Sequence, residues 1–122
     1  MPTTAQAARF DLDTLRRAVH DGDVEAMLAL YADDAEIVVF DLNNPPSDPT
    51  TIEGRSRIGA MLADVFSRDM AHEVRHAITD GACAAYDIAC RYGDGTRVVA
   101  HSMVEPRGGR IAHEEMIQVW DA

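Results

Sequence analysis

The sequence has 122 residues, which is enough for one domain with its own core and too few for two. Its composition, 47% hydrophobic and 26% charged residues, is that of a globular protein and excludes a disordered or fibrous chain. The formal net charge of −10, with no cluster of basic residues, argues against nucleic acid or an anionic membrane as a partner.

All 11 basic residues are arginine, so Schiff-base chemistry and a P-loop nucleotide site are excluded, and no cofactor is predicted. The first residues lack a basic segment followed by an apolar run, and no stretch is long enough for a spanning helix. We therefore expect a cytoplasmic protein that forms a single domain over residues 1–122, with residues 1–10 as a flexible N-terminal segment.

Two helices are predicted at the beginning of the chain. Apolar residues recur at helical spacing over residues 11–20, and Gly22 stands where a left-handed residue would end the helix. Asp23 is a good N-cap for a second helix, whose apolar face is expected to include Tyr31 and which ends before Asp33.

A strand, a loop and a third helix follow. Residues 35–42 are rich in β-branched and aromatic side chains, which favours a strand. The tandem prolines and the Asn and Asp residues of 43–50 predict a loop. A third helix is predicted to begin at Gly54, and its apolar face holds Ile58, Met61, Leu62, Val65 and Phe66.

The last third of the chain favours strands joined by hairpins. Gly93-Asp94-Gly95 and residues 106–109 are both strong turn signals. The predicted strands are 83–92, 96–105 and 110–120. Helices followed by an antiparallel meander indicate an α+β fold in which the helices cover one face of a curved sheet.

The two cysteines, Cys83 and Cys90, lie seven residues apart in one predicted strand. Their side chains would then be on opposite faces and roughly 23 Å apart, which is too far for a disulfide. We expect two reduced, buried thiols.

Three stretches resemble the SnoaL-like branch of the NTF2-like superfamily: HDGDVEAMLALYADDAEIVVFD at 20–41, GRSRI at 54–58 and GGRIAHEEMIQVW at 108–120. The resemblance extends from about residue 11 to the C-terminus. It implies a cone in which three helices of the N-terminal half pack on a strongly curved, mostly antiparallel sheet that encloses a pocket. It also implies a homodimer, since many members are dimeric, and a strand after the third helix. Activities in the superfamily include isomerases, dehydratases, epoxide hydrolases and polyketide cyclases, and fold alone does not choose among them.

Two of these activities require polar residues that this chain lacks. The positions that resemble the tyrosine and the two aspartates of ketosteroid isomerases are Leu15, Val39 and Met103, which excludes that mechanism. For limonene epoxide hydrolases, the last-strand aspartate falls on Met116, and the other strand offers at most Asp87, without the arginine of the family's motif.

Polyketide cyclases of the SnoaL type resemble the chain better, because they carry a histidine on the penultimate strand and an acidic residue on the last. The matching residues are His101 and Glu114, with Glu115 as the neighbouring alternative. The resemblance implies that His101 is the acid/base and Glu114 its orienting partner.

Strand pairing gives an independent check of that pair. A four-residue loop at 106–109 would place His101 opposite Glu114, within reach of a hydrogen bond. A two-residue turn at Gly108-Gly109 would place His101 opposite Met116, with Glu114 as a diagonal neighbour. A carboxylate and burial can together bring the pKa of the histidine near neutral pH, as acid–base catalysis requires. The alternative is a cross-strand polar pair in a solvated groove or on the outer surface of the sheet.

Further residues are candidates for contact with a small hydrophobic organic ligand. These substrate-binding candidates are Tyr31, Val39, Asp41, Tyr86, Met103 and Met116. Most of them have an alternative role. Asp41 would also cap the turn at Asn43-Asn44. Tyr31 and Tyr86 would also serve as core aromatics with their hydroxyls at the rim, and the methionines would also fill an ordinary core.

Residues 72–76, HEVRH, match the HExxH zinc motif, which needs a helix to bring both histidines to one metal ion. On the strand that the resemblance implies, His72 and His76 would be about 13 Å apart. We therefore predict no metal, and a zinc peptidase is the most remote alternative. The leading hypothesis is acid–base catalysis (cyclisation, isomerisation or dehydration) in the pocket, and the second is a non-catalytic ligand-binding or dimerisation module.

Overall fold

The computed structural model describes residues 9–121, in three helices and six strands. In chain order these are α1 (Leu12–Asp21), α2 (Val24–Leu28), β1 (Tyr31–Phe40), β2 (Thr50–Glu53), α3 (Arg55–Ser67), β3 (Met70–Thr79), β4 (Ala84–Tyr92), β5 (Arg97–Arg107) and β6 (Arg110–Trp120).

All six strands form one curved, open sheet in the order β2-β1-β6-β5-β4-β3. Neighbouring strands are antiparallel except for β1 and β6, which are parallel. The predicted α+β class, with helices from the N-terminal half on a mostly antiparallel sheet, is confirmed. No helix within residues 9–121 has the length and apolar character needed to cross a membrane.

Local sequence accounts for the bounds of α1. The Asp11 side chain caps the helix by accepting a hydrogen bond from the Thr14 backbone N–H at 3.0 Å. Gly22 ends it with φ of 65°, a conformation that favours glycine. The Arg16 side chain donates to the backbone oxygen of Val74 at 3.1 Å, which ties α1 to β3.

The core lies between the helices and the inner face of the sheet. Leu15 of α1, Ile58 of α3, Ile37 of β1 and Ile111 of β6 are completely buried there. Because these side chains come from distant parts of the chain, their burial holds the helices against the sheet.

The structure differs from the predictions in two strands of the N-terminal half, β1 and β2. Tyr31 begins β1 instead of ending α2, since α2 stops at Leu28. The short strand β2, Thr50–Glu53, was not predicted, although its β-branched residues favour a strand. It pairs with β1 and places Ile52 opposite Ile37.

The ends of other predicted features differ as well. The predicted flexible segment falls mostly on residues 1–8, outside the described residues, but Phe10 is buried in the core. Both cysteines are free, and Cys83, which precedes β4, is exposed instead of buried, while Cys90 is half-buried.

The variant Leu15→Ala tests this core. Removal of a fully buried leucine side chain should lower the free energy of unfolding by about 2–5 kcal/mol, measured by urea denaturation. Leu42→Ala is the matched control, since Leu42 is 83% exposed and its loss should cost less than about 0.5 kcal/mol. Equal effects of the two variants would contradict the burial of Leu15 in the core.

Candidate functional site

A cavity of about 390 Å³ lies between the helices and the inner face of β3–β6. Its lining is mostly apolar, and both layers contribute to it. The apolar lining residues are Val19, Met27, Met61, Leu62, Val65, Phe66, Met70, Ile88, Val98, Ala100, Met116 and Trp120. A cavity of this size and character suits a small, mainly apolar molecule.

The carboxyl group of Glu114 is the most deeply buried acidic group in the cavity wall, with an exposure of 0%. The Tyr31 hydroxyl donates a hydrogen bond to its Oε1 at 2.5 Å. The Ser102 hydroxyl donates to its Oε2 at 2.7 Å. Glu114 on β6 is thus bonded to β1 on one side and to β5 on the other.

Burial raises the pKa of Glu114 above its usual value, because the ionised form loses its hydration. The hydrogen bonds from Tyr31 and Ser102 act in the opposite direction but do not cancel this effect. Burial, together with the nearby carboxyl, also raises the pKa of Tyr31 well above that of a free tyrosine. Tyr31 therefore stays protonated as a donor, while Glu114 can take up or release a proton.

The hydroxyl group of Tyr86 on β4 lies beside this group and is buried. It is close enough to be influenced by Glu114, and burial followed by that carboxyl raises its pKa well above the usual value. It nevertheless has no well-aligned hydrogen-bond partner among residues 9–121. A buried hydroxyl without a partner is costly, and a ligand oxygen would satisfy it.

The hairpin between β5 and β6 decides which side chains share a face with Glu114. The turn is the two-residue one, Gly108-Gly109, with φ of 61° and 80°. A one-residue irregularity between Glu105 and Pro106 then shifts the register, so that Val104 pairs with Glu114. A shift by one residue moves a strand's side chains to the other face.

The predicted pair of His101 and Glu114 is therefore wrong. His101 pairs with Ile117, lies on the outer face of the sheet and is exposed, whereas Glu114 faces the cavity and is fully buried. The register with the bulge places Ser102, a residue the sequence analysis did not consider, on the inner face instead.

The remaining predicted site residues divide between the two faces. Tyr31, Tyr86 and Met116 line the cavity together with Glu114. Met103 is 65% exposed on the outer face, so its predicted contact with a ligand in the pocket is wrong.

Val39 and Asp41, at the end of β1 and just beyond it, do not line the cavity. Val39 belongs to the buried core. Asp41 caps the following turn, as the alternative interpretation has it, by accepting from the backbone N–H of Asn43 at 2.9 Å and from Nδ2 of Asn44 at 2.8 Å. Neither residue is therefore placed to make the predicted contact with a ligand in this cavity.

The HEVRH segment forms β3, not the helix that a zinc peptidase requires. His72 is buried in the cavity wall, while the His76 side chain is 79% exposed and its backbone N–H donates to Asp87 at 2.8 Å. No group of three or more His, Cys, Asp or Glu side chains within residues 9–121 is arranged to hold a metal ion. His72 is thus a cavity residue that sequence analysis considered only as a zinc ligand.

The sequence matches the family model described as SnoaL-like domain over residues 12–114. No curated protein has a significantly similar sequence.

Solved structures with the same fold include three of particular interest. A proposed ketosteroid isomerase from Kribbella flavida DSM 17836 superposes with a TM-score of 0.72 at 20% identity, covering 91% of this chain and 75% of that one. An NTF-2 like protein of unknown function from Burkholderia xenovorans LB400 gives 0.72 at 24% identity, covering 90% and 79%. The epoxide hydrolase/cyclase-like enzyme SalBIII, with a role in pyran ring formation in the polyether salinomycin, gives 0.66 at 21% identity, covering 90% and 87%. These likenesses show the fold.

The variant Glu114→Gln tests the electrostatics of the buried carboxyl. Since folding raises the pKa of Glu114, its contribution to stability is complete below the unfolded pKa and is lost as pH rises through the folded pKa. The free energy of unfolding of the wild type should therefore fall relative to that of the variant as the pH rises above about 4, the ordinary pKa of an unfolded glutamic acid. Urea denaturation at a series of pH values measures this difference.

Glu73→Gln is the control for that experiment, because Glu73 is exposed on β3. Its difference from the wild type should stay nearly constant over the same pH range. A difference between Glu114→Gln and the wild type that does not change with pH would contradict the raised pKa.

Proposed function

Because the chain belongs to the SnoaL-like domain family, we propose that it binds a small hydrophobic molecule in its cavity and transfers protons to and from that molecule through Glu114. The observation that carries the proposal is a fully buried carboxyl group with a raised pKa in the wall of an apolar cavity. A pKa displaced by burial at such a site is typical of acid–base catalysts.

The roles of the site residues follow from their hydrogen bonds. The unpaired hydroxyl of Tyr86 would donate to a carbonyl oxygen of the substrate and stabilise negative charge that develops there. Glu114, as the carboxylate, would remove a proton from the adjacent carbon and, as the acid, return it. Tyr31 and Ser102 position the carboxyl through their hydrogen bonds.

Such proton transfer is the shared first step of the reactions expected from the sequence. Removal of a proton next to a carbonyl gives an enolate, from which isomerisation, cyclisation or dehydration can proceed. The likeness of fold to a cyclase-like enzyme supports this range of reactions and does not select one of them. In this proposal Glu114 takes the acid–base role that the sequence analysis gave to His101.

Non-catalytic ligand binding in the same cavity is the second candidate function. Both carboxyl oxygens of Glu114 already accept hydrogen bonds from protein groups, and its exposure is 0%. The exposure of His101 also favours this candidate, because the histidine that was predicted to act as acid and base lies outside the cavity. The two candidates agree on ligand binding and differ on proton transfer.

Homodimer formation is a further proposal, supported by apolar side chains on the outer face of the sheet. The exposed members of this outer patch are Ile78, Met103, Ile117 and Val119. Strand pairing continues the apolar surface across the sheet, since Ile78 lies opposite Ala85 and Ala85 opposite Met103. Exposed apolar surface of this kind marks an association site.

The cytoplasmic location stays a prediction.

Hydrogen–deuterium exchange of 2-tetralone in D₂O tests proton transfer without knowledge of the natural substrate. This apolar two-ring ketone has exchangeable hydrogens next to its carbonyl, and the wild type should accelerate their exchange, measured by proton NMR. Glu114→Gln should lower the enzymatic rate by about 100-fold or more, and Tyr86→Phe should also lower it. His101→Ala should leave the rate unchanged.

The outcomes separate the candidates. Binding of 2-tetralone without accelerated exchange would favour the non-catalytic module. Loss of exchange in His101→Ala would contradict the role assigned to Glu114.

Native mass spectrometry of the untagged protein tests the dimer. The wild type should have twice the protomer mass, and Ile117→Asp, which places a charge within the outer patch, should give monomers because the charge would be buried at the interface. Leu42→Asp is the control, since Leu42 is exposed in the loop after β1 and outside the patch. A monomeric wild type would contradict this proposal.

A further inference from the structure

His72 of β3 is a second buried polar side chain in the cavity wall, apart from the group around Glu114. It is 9% exposed, and its ring meets that of Phe66 edge to face at a centroid distance of 5.2 Å. Its Nδ1 lies 3.3 Å from Sγ of Cys90. Its Nε2 is buried and has no hydrogen-bond partner within residues 9–121.

Neither tautomer of the ring removes this imbalance. If Nε2 carries the proton, a donor is unpaired, and if Nδ1 carries it, Nε2 is an unpaired acceptor. An unsatisfied buried polar atom costs about 1–3 kcal/mol. A ligand in the cavity with an oxygen at this point would recover that energy on binding.

The strand register places His72 away from the acid–base group. His72 pairs with Cys90 across β3 and β4, and Cys90 lies four residues beyond Tyr86 on β4. Four residues of strand span roughly 13 Å. Ile88, which lies between them on the same face, is part of the apolar lining. The cavity thus has polar atoms at two separated points with an apolar floor between them.

The wall that holds His72 also borders a groove on the surface. His72, Phe66, Met70 and Cys90 line both the cavity and this groove. His72 therefore lies at the boundary of the cavity, where the far end of a bound molecule would come to rest.

We propose that Nε2 of His72 binds a second polar group of the ligand, so that the substrate class is an elongated apolar molecule with an uncharged oxygen at each end. The inference rests on the proposed function, because it requires the ligand to occupy the cavity. A hydroxyl group fits either tautomer, since it both donates and accepts. A carboxylate is less suitable, because the nearby Arg68 already donates to Asp64 at 2.6 Å and to Tyr92 at 3.0 Å.

The charge state of the ring agrees with an uncharged partner. Burial, and after it the positive charge of Arg68, lowers the pKa of His72, so the imidazole is neutral at pH 7. The Cys90 thiol is neutral as well, since burial raises its pKa.

Isothermal titration calorimetry with two naphthalene probes tests the inference. 2-Naphthol has one hydroxyl group, and naphthalene-2,6-diol has a hydroxyl at each end of the same two rings. The wild type should bind the diol about tenfold more tightly, as expected for one hydrogen bond to a buried unpaired atom. His72→Phe should bind both probes equally, while His76→Phe, altered on an exposed histidine of the same strand, should keep the preference.

Each result decides a separate point. Equal binding of the probes by the wild type, or a preference that persists in His72→Phe, would overturn the inference and leave the proposed function standing. Binding of neither probe by the wild type would overturn both.

A measurement on the wild type alone tests the inference even if the His72→Phe variant fails to fold. In ¹⁵N-labelled protein, the diol should shift the imidazole Nε2 resonance of His72, and 2-naphthol should shift it less. An unchanged His72 resonance in the presence of bound diol would overturn the inference.

Discussion

The buried carboxyl of Glu114 is the interaction on which the rest of the site depends. Taking a carboxyl out of water is unfavourable, and the cost is tolerable only because both oxygens accept hydrogen bonds, from Tyr31 and from Ser102. These bonds connect β6 to β1 and β5, so the middle of the sheet and the proposed acid–base group share one network. The same burial that requires the partners also raises the pKa of the carboxyl. Burial of Glu114 is therefore the common cause of its hydrogen bonds across the sheet and of its raised pKa.

The two faces of the curved sheet carry different sets of side chains. The inner face holds Glu114, Tyr86 and His72 in the wall of an apolar cavity. The outer face holds the exposed apolar patch and His101. Because side chains alternate along each strand, a polar residue belongs to the cavity or to the surface according to register alone. The position of one bulge between β5 and β6 thus places Glu114 and His101 on opposite faces of the sheet.

The polar atoms without partners indicate where a ligand would interact with the cavity. The Tyr86 hydroxyl and Nε2 of His72 are buried without a well-aligned partner in the described part of the chain, residues 9–121, and both residues belong to the cavity wall. Unpaired buried atoms reduce stability in the free protein and increase the gain from a complementary ligand. Their separation along β4, together with the apolar surface between them, favours an elongated ligand over a compact one. The separation of these two polar atoms depends on how β3 pairs with β4, so neither segment alone determines it.

Local sequence was sufficient for the elements whose ends carry their own signals. The Asp11 cap and Gly22 define α1, and the Gly-rich turns and β-branched runs define the strands of the meander, because these preferences act between residues close in the chain. Family resemblance was sufficient for the α+β cone. Glu114 stays a predicted site residue, and its predicted pairing with His101 was wrong. The bulge before Pro106, the strand position of Tyr31 and the partners of Glu114 were beyond prediction from sequence, because they depend on contacts between distant segments. Alternation has a period of two residues, so an error of one residue in register exchanges the two faces, and only the packed sheet sets that register.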